Sequence, residues 1–366
     1  MTQSSSKITA LKNVPHSKVS RVKWVVRGML AISALLVCSV WLLSALYYQM
    51  QQPLQWPENQ DSMVVEVARG TSLSQINRQL YRLDMLPHPK LLSLYARING
   101  LTAIRAGQYS LQRGDSAAQF LDKLNRGEVI RYQITFPEGW TFKQWLSQLA
   151  RVEQFKAIAE MSVEQIMASA DIDKASPEGW LFPDTYSYTQ SDSALDIIIR
   201  AHRRMLQVLD QAWQQRAQDL PYKTPYEALI MASIVEKETG LAEERGAIAG
   251  VFVRRLQKGM RLQTDPTVIY GLGESYQGNI TRAHLRSLTP YNTYRINGLP
   301  PTPIAMPSAA AIEAALHPLP GSSLYFVARG DGGHYFADSL EEHQKAVRQY
   351  QINQRAVDYQ SAPKTE

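Results

Sequence analysis

Hydrophobic residues fall along this chain in two continuous runs, and between them in alternating and helical patterns. The first run, Gly28 to Tyr48, holds about twenty uncharged and mostly apolar residues, enough to cross a bilayer core as a helix. A cleaved signal peptide competes with this reading, but the run is long for one and no small-x-small site follows between Gln49 and Pro53. Pro53 and Pro57 mark a linker to about Ser62. Val64 to Val67 then alternates as a strand, Gly70-Thr71-Ser72-Leu73 turns and caps a helix to about Tyr81, and Lys90 to Ile98 gives a second helix. Gly107 to Leu111 returns as a strand, and Ser116 to Asn125 spaces its apolar residues as an amphipathic helix. Val129 to Phe136 alternates again, Thr141 to Ala150 is helical after the Pro137-Glu138-Gly139-Trp140 turn, and Ala194 to Ala217 predicts a long amphipathic helix.

The second run has different borders. Thr224 is placed as an N-cap, Pro225 as the first helical residue and Glu227 as the partner in a capping box. Ala228 to Val235 is apolar almost all round, which predicts a helix buried inside a domain. Glu236 and Glu238 lie at its end, with Gly240 placed to stop it. Glu243-Glu244-Arg245 starts another helix, carried by Ile248, Val251, Phe252 and Leu256 and closed by Gly259. Residues 260–271, 290–294 and 298–303 read as long, polar, Pro-rich loops, the kind that usually carry function. A hairpin of Leu324 to Ala328 with His334 to Phe336, and a helix from Ser339 to about Gln354, complete an α+β chain.

Six divisions follow: a basic tail 1–27, a transmembrane helix 28–48, a linker 49–62, a small subdomain 63–128, a larger mixed α+β domain 129–357 and a disordered tail 358–366. The strand, helix, helix, strand order of 63–128 resembles a LysM unit, a module often used to bind glycan chains; a plain spacer is the alternative.

Charge changes the picture in one place. The net +6 matches Lys7, Lys12, Lys18, Arg21, Lys23 and Arg27, which share residues 1–57 with no acid. The rest of the chain is balanced, so no nucleic-acid partner is expected. The same basic residues precede the apolar run, which puts the N-terminus in the cytoplasm and everything after about residue 50 outside. Cys38 is the chain's single cysteine, so it forms no internal disulfide, and Val37 before it excludes a lipid-attachment site. His317, His334 and His343 do not fall at metal-ligand spacing, and no cofactor fingerprint is present, so no metal or cofactor is expected.

The acids at the end of the buried helix are the leading candidates for chemistry. A carboxyl half-buried against an apolar wall keeps its proton near neutral pH, as a general acid must. At 100° per residue Glu236 and Glu238 point about 200° apart and cannot act together on one atom. Both have apolar neighbours on the preceding turns, so geometry alone leaves the choice open. Gln263, Asp265, Tyr270, Asn292 and Tyr294, from the polar loops, are candidates to hold polar groups of a substrate or to tune the acid; structural roles are the alternative. The stretch Glu178-Gly179-Trp180-Leu181-Phe182-Pro183-Asp184-Thr185-Tyr186 offers aromatic faces and carboxylates that suit a sugar, or aromatics that plug a core edge, the commoner use.

Five segments resemble the YceG-like family: Ile234-Val235-Glu236-Lys237-Glu238-Thr239, residues 261–271 with the run Leu-Gln-Thr-Asp-Pro-Thr, Tyr291-Asn292-Thr293-Tyr294, Gly298-Leu299-Pro300-Pro301 and Gly333-His334-Tyr335-Phe336. The resemblance extends from the apolar span to the terminal helix. It implies a bacterial inner-membrane enzyme that cuts nascent peptidoglycan strands internally, leaves a 1,6-anhydro-N-acetylmuramic acid end, and associates with penicillin-binding proteins. It also implies that Glu238, the second acid of Glu-Lys-Glu-Thr, is the catalytic residue, leaving Glu236 as a structural acid, with Arg245 as its expected partner. The departures are a long N-terminal tail and Tyr335, and neither touches the catalytic match. Ordinary glycoside hydrolases need two carboxylates. Forming an anhydro ring uses the sugar's own C6 hydroxyl in place of water, so one carboxyl serves as acid and then base. The rival readings are a catalytically silent glycan-binding anchor and a hydrolase pairing Glu238 with Asp265.

Overall fold

The computed structural model describes residues 16–56, 60–174 and 176–353; the expected basic tail lies outside them up to residue 15, as does the expected tail 358–366. The described residues divide between Ile130 and Arg131 into two compact units. The architecture mixes helices with three antiparallel strand pairs.

The first unit begins with α1, His16–Gln51, whose stretch Lys23–Gln51 is apolar and long enough to cross a membrane. β1 (Ser62–Val67), α2 (Leu73–Arg82), α3 (Pro89–Ile98), β2 (Gly107–Gln112) and α4 (Ala117–Arg126) follow, in the predicted strand, helix, helix, strand, helix order. β1 pairs antiparallel with β2, Val65 opposite Tyr109. Alternation on these strands and helical spacing on α2 and α4 send Val65, Val67, Ile76, Leu80, Tyr109, Leu111, Phe120 and Leu124 into one core. Capping boxes at Ser72 and Ser116 start α2 and α4 where the sequence places them.

α1 runs beyond Tyr48, where the apolar run ends, because its last turns are part of this core. Leu46, Met50 and Leu54, four residues apart, are buried in it. The stretch expected to be a linker is tied down at its start: Pro53 bridges to Ser116, and the Leu54 amide donates to the Asp115 carbonyl at 2.9 Å.

The second unit comprises β3 (Tyr132–Thr135), α5 (Phe142–Leu149), α6 (Val163–Ser169), β4 (Thr185–Tyr188), α7 (Ala194–Gln214), α8 (Pro225–Glu238), α9 (Ala242–Gln257), α10 (Asp265–Leu272), α11 (Arg282–Arg286), α12 (Ala309–Leu316), β5 (Tyr325–Ala328), β6 (His334–Ala337) and α13 (Leu340–Val347). One of its cores lies between the β3–β4 pair, α5 and α7, where Phe136 stacks on Trp145 at 3.7 Å. The other surrounds α8, whose residues Ala228 to Val235 are all buried, against α7, α9 and α12. Burial on every side explains why this helix carries no polar stripe. In the Glu178–Tyr186 stretch, Trp180, Leu181 and Phe182 are buried, so these side chains pack the cores. Gly179 makes the turn possible: its φ is +82°, and a Cβ there would lie 2.5 Å from Pro303 Cγ.

Three of the departures from the pattern concern α8 and its surroundings. Residues 265–272, expected within a loop, form α10, because Pro266 sits in the first turn, where its missing N–H costs nothing. α12, unpredicted, covers α8 with the short apolar run Ala309–Leu316. α8 ends at Glu238 with Thr239 extended and its hydroxyl accepting the Leu241 amide at 3.0 Å, so the stop precedes Gly240 and does not use a left-handed glycine.

Candidate active site

α8 delivers its two terminal acids to different places. Glu236 accepts from the backbone amide and hydroxyl of Ser308, the N-cap of α12, and so fixes that helix to α8. Ser308, not the anticipated Arg245, is its hydrogen-bonding partner.

Glu238 faces the segment before α10. It is half-buried, and the Thr264 hydroxyl donates to its Oε1. Burial, foremost, pushes its carboxyl from the ordinary 4.5 up to about 7; the Thr264 hydrogen bond opposes the rise and the Asp265 charge adds to it. An acid in this range is half protonated at neutral pH and can both give and take a proton.

Thr264 is held by a buried cluster of threonines. Its amide donates to Thr293 Oγ1 at 3.0 Å, and its carbonyl accepts from the hydroxyls of Thr267 at 2.8 Å and Thr293 at 3.3 Å. All three residues are buried, which leaves Thr264 one position from which to reach Glu238. Upstream, buried Arg255 donates to the carbonyls of Arg261 and Leu262 at 3.1 and 2.8 Å and to Gln263 Oε1 at 3.3 Å. Gln263 sits at φ 53°, an uncommon left-handed conformation for a non-glycine residue, with its amide bonded to the Thr293 carbonyl at 3.2 Å. Arg255 and Thr293 thus hold the bend that turns the chain toward Glu238.

The five expected binding residues separate into groups. Gln263 and Asp265 flank Thr264 and are exposed. Tyr294 joins them, its hydroxyl donating to Asp265 Oδ1 at 2.7 Å, and burial together with the Asp265 charge raises its pKa. Asp265 and Tyr294 are electrostatically coupled to Glu238, whereas the Gln263 side chain is tied to Arg255. Tyr270 lies further along α10 and donates to Glu178 Oε2 at 3.1 Å. Asn292 is fully buried; its amide donates to the carbonyls of His284, Leu285 and Ser287, at 2.7–3.3 Å, and its Oδ1 accepts from the Tyr294 amide at 3.0 Å. It braces the end of α11 and the Tyr294 backbone from inside the fold.

Sequence reasoning passed over Thr264, Thr267, Thr293 and Arg255 as site residues, and weighed Glu178 only as part of a stretch that could face a sugar or plug a core edge. Thr264 stands within the Leu-Gln-Thr-Asp-Pro-Thr run, and its position before Asp-Pro at a helix start was the available signal. Glu178 is buried, accepts the Phe142 amide at 3.0 Å as well as the Tyr270 hydroxyl, and is pushed up to about 7 by desolvation. It ties the start of α5 to α10. His334, of the Gly-His-Tyr-Phe motif, pairs with Glu244: its Nδ1 lies 2.7 Å from Oε2 and its amide donates to Oε1 at 2.9 Å, which fastens the β5–β6 hairpin to α9. Among the described residues no three or more His, Cys, Asp or Glu side chains come together as a metal site.

In this mixed helix-and-strand protein the buried helix α8 thus ends in a near-neutral carboxyl braced by a threonine-lined bend. The chain belongs to the YceG-like family, whose sequence profile matches residues 65–349. Its relatives include a protein named endolytic murein transglycosylase from Bacillus subtilis (strain 168), 30% identical over 317 residues, a match covering 80% of this chain and 86% of that one. A protein of the same name from Streptococcus pneumoniae serotype 2 is 30% identical over 325 residues, and there the match spans 79% of this chain and only 58% of the longer relative. A crystal structure of a yceG-like protein from Listeria monocytogenes is 30% identical, covers 78% of this chain and 99% of its own, and superposes with a TM-score of 0.48.

Proposed function

We propose that this chain is a membrane-anchored lytic transglycosylase that cuts peptidoglycan strands internally, with Glu238 as its sole proton-transfer residue. The observation that carries the reading is the Glu238 carboxyl, desolvated to about 7 and backed by Thr264 at the end of α8. The names of the relatives support the substrate and reaction class.

In the first step protonated Glu238 gives its proton to the glycosidic oxygen between N-acetylmuramic acid and the next sugar. The C1–O bond breaks, and the departing sugar leaves with a 4-hydroxyl. In the second step the C6 hydroxyl attacks C1 and its proton passes to the Glu238 carboxylate, which restores the acid and closes a 1,6-anhydro ring. No water is consumed. Gln263, Asp265 and Tyr294 line the approach and hold hydroxyl and acetamido groups. Tyr270 and Asn292 act from behind, through Glu178 and the 284–287 carbonyls.

The stretch Lys23–Gln51 supports a single anchor in a bacterial inner membrane, with the N-terminus inside and the 129–357 catalytic region outside. The 63–128 unit is read as a LysM-like glycan holder, and family resemblance supports work alongside penicillin-binding proteins. Digestion of purified glycan strands in ¹⁸O-labelled water tests the chemistry. The proposal expects anhydro ends with no label. Labelled reducing ends would replace it with a two-carboxylate hydrolase, and intact strands would replace it with a silent glycan-binding anchor.

A further inference from the structure

The end of α1 is packed into the first unit, and this sets the unit's height above any bilayer that α1 crosses. From Arg27 to Tyr47 the helix rises roughly 30 Å at about 1.5 Å per residue, the thickness of a hydrocarbon core. Arg27 at one boundary therefore places Tyr47 and Tyr48 at the other, where tyrosines favour the headgroup level. Tyr47 is fixed there by its neighbours: its hydroxyl donates to Asn99 Oδ1 at 2.6 Å, and its ring meets Tyr95 edge-on at 5.1 Å. The C-terminal end of α3 thus shares the depth of Tyr47.

The side of α3 beside Tyr95 is apolar. At 100° per residue, Leu91, Ile98 and Leu94 lie about 40°, 60° and 100° from Tyr95, all in the same direction. Leu94 and Ile98 are each 47% exposed, Leu91 is half-buried, and Tyr48 on α1 is 69% exposed. Lys90 and Arg97, both exposed, are further round the helix and suit anionic headgroups. Two isolated exposed aliphatics would need no explanation. A stripe of them at the exit depth of an apolar helix, on the helix that clasps that exit, is different.

We propose that Leu94 and Ile98 of α3 form a lip that sits in the outer interfacial zone of the bilayer, so that the first unit rests on the membrane instead of standing off on a tether. This rests on the anchor reading of α1. Burying two aliphatic side chains in the interface adds to the hold of α1 and fixes the rotation of the unit about it.

Site-directed spin labelling of the full chain in phosphatidylethanolamine–phosphatidylglycerol nanodiscs tests both readings separately. Cys38 is the only cysteine in the sequence, so labelling the unaltered chain reports on the anchor. In a Cys38→Ser background, Leu94→Cys and Ile98→Cys report on the lip and Arg97→Cys on another side of the same helix. The expected result is a high oxygen-to-nickel-complex collision ratio at Cys38 and a ratio at positions 94 and 98 several-fold above that at 97. Equal, water-like values at 94, 97 and 98 with Cys38 deep would overturn the lip and leave the anchor standing. A water-like value at Cys38 would remove the anchor and the lip with it. Labels at 94 and 98 shielded from both agents would mean that protein, not lipid, covers this face, and would overturn the proposal.

Discussion

Asp265→Asn separates a one-carboxyl mechanism from a two-carboxyl one at the closest available point. Asp265 is exposed, receives the Tyr294 hydroxyl at 2.7 Å, and its charge helps hold the Glu238 carboxyl at about 7. Asparagine keeps an oxygen for Tyr294 and removes the charge. Among the influences on Glu238, burial is the largest and Asp265 the smallest, so only a minor part of the rise from 4.5 to about 7 disappears. A drop of about 0.5 pH units would cut the protonated fraction at pH 7 from roughly one half to roughly one quarter, equivalent to about 0.7 kcal/mol. The assay is the initial rate of anhydro-end release at saturating strand concentration from about pH 5 to pH 9. The alkaline limb should move to lower pH, with an approximately twofold loss near pH 7 and none near pH 5. If Asp265 were a nucleophile or water activator, the rate would fall by orders of magnitude at every pH. That result, or a limb that moves upward, would refute the reasoning.

Two further substitutions probe the surroundings. Thr264→Val removes the hydroxyl that lowers the Glu238 pKa, so the alkaline limb should move to higher pH, opposite to Asp265→Asn; a pH–rate profile with no upward movement would contradict the assigned hydrogen bond. For Glu178 the folded-state pKa lies above the unfolded one, so its stabilising effect is complete below about 4.5 and is lost as pH rises through about 7. The loss is on the order of 3 kcal/mol, and Glu178→Gln should flatten that part of the melting-temperature profile; an unchanged slope between pH 4.5 and 7 would count against the buried carboxyl as its source.

What could be read from the sequence followed how local each signal was. α8 was legible because its cap, its eight-residue apolar run and its terminal acids are contiguous, and the opposed directions of Glu236 and Glu238 follow from helix geometry alone. Which acid meets Thr264 and which meets Ser308 was not, because both partners are distant in sequence, and only the family motif pointed to Glu238. α10 was hidden by Pro266, which reads as a loop signal until it is seen at a helix start. β4 was hidden inside an aromatic stretch because its partner β3 lies some fifty residues away, Ile134 opposite Tyr186. Asn292 looked like a ligand-facing loop residue because polarity is visible in a sequence and depth is not; the fold places its amide against three backbone carbonyls. The tie between α1 and the first core was written in Leu46, Met50 and Leu54, but their spacing was masked by the apolar run that precedes it.

The central claim is that Glu238 alone moves the protons. Its most direct test is Glu238→Gln, which keeps the side chain's shape and removes its acid, with product masses read from digested glycan strands. The wild-type chain should release fragments whose ends are lighter by one water than hydrolysed ends, and the variant, folded and still able to bind strands, should release none. Undiminished release of anhydro ends by the variant would contradict the account.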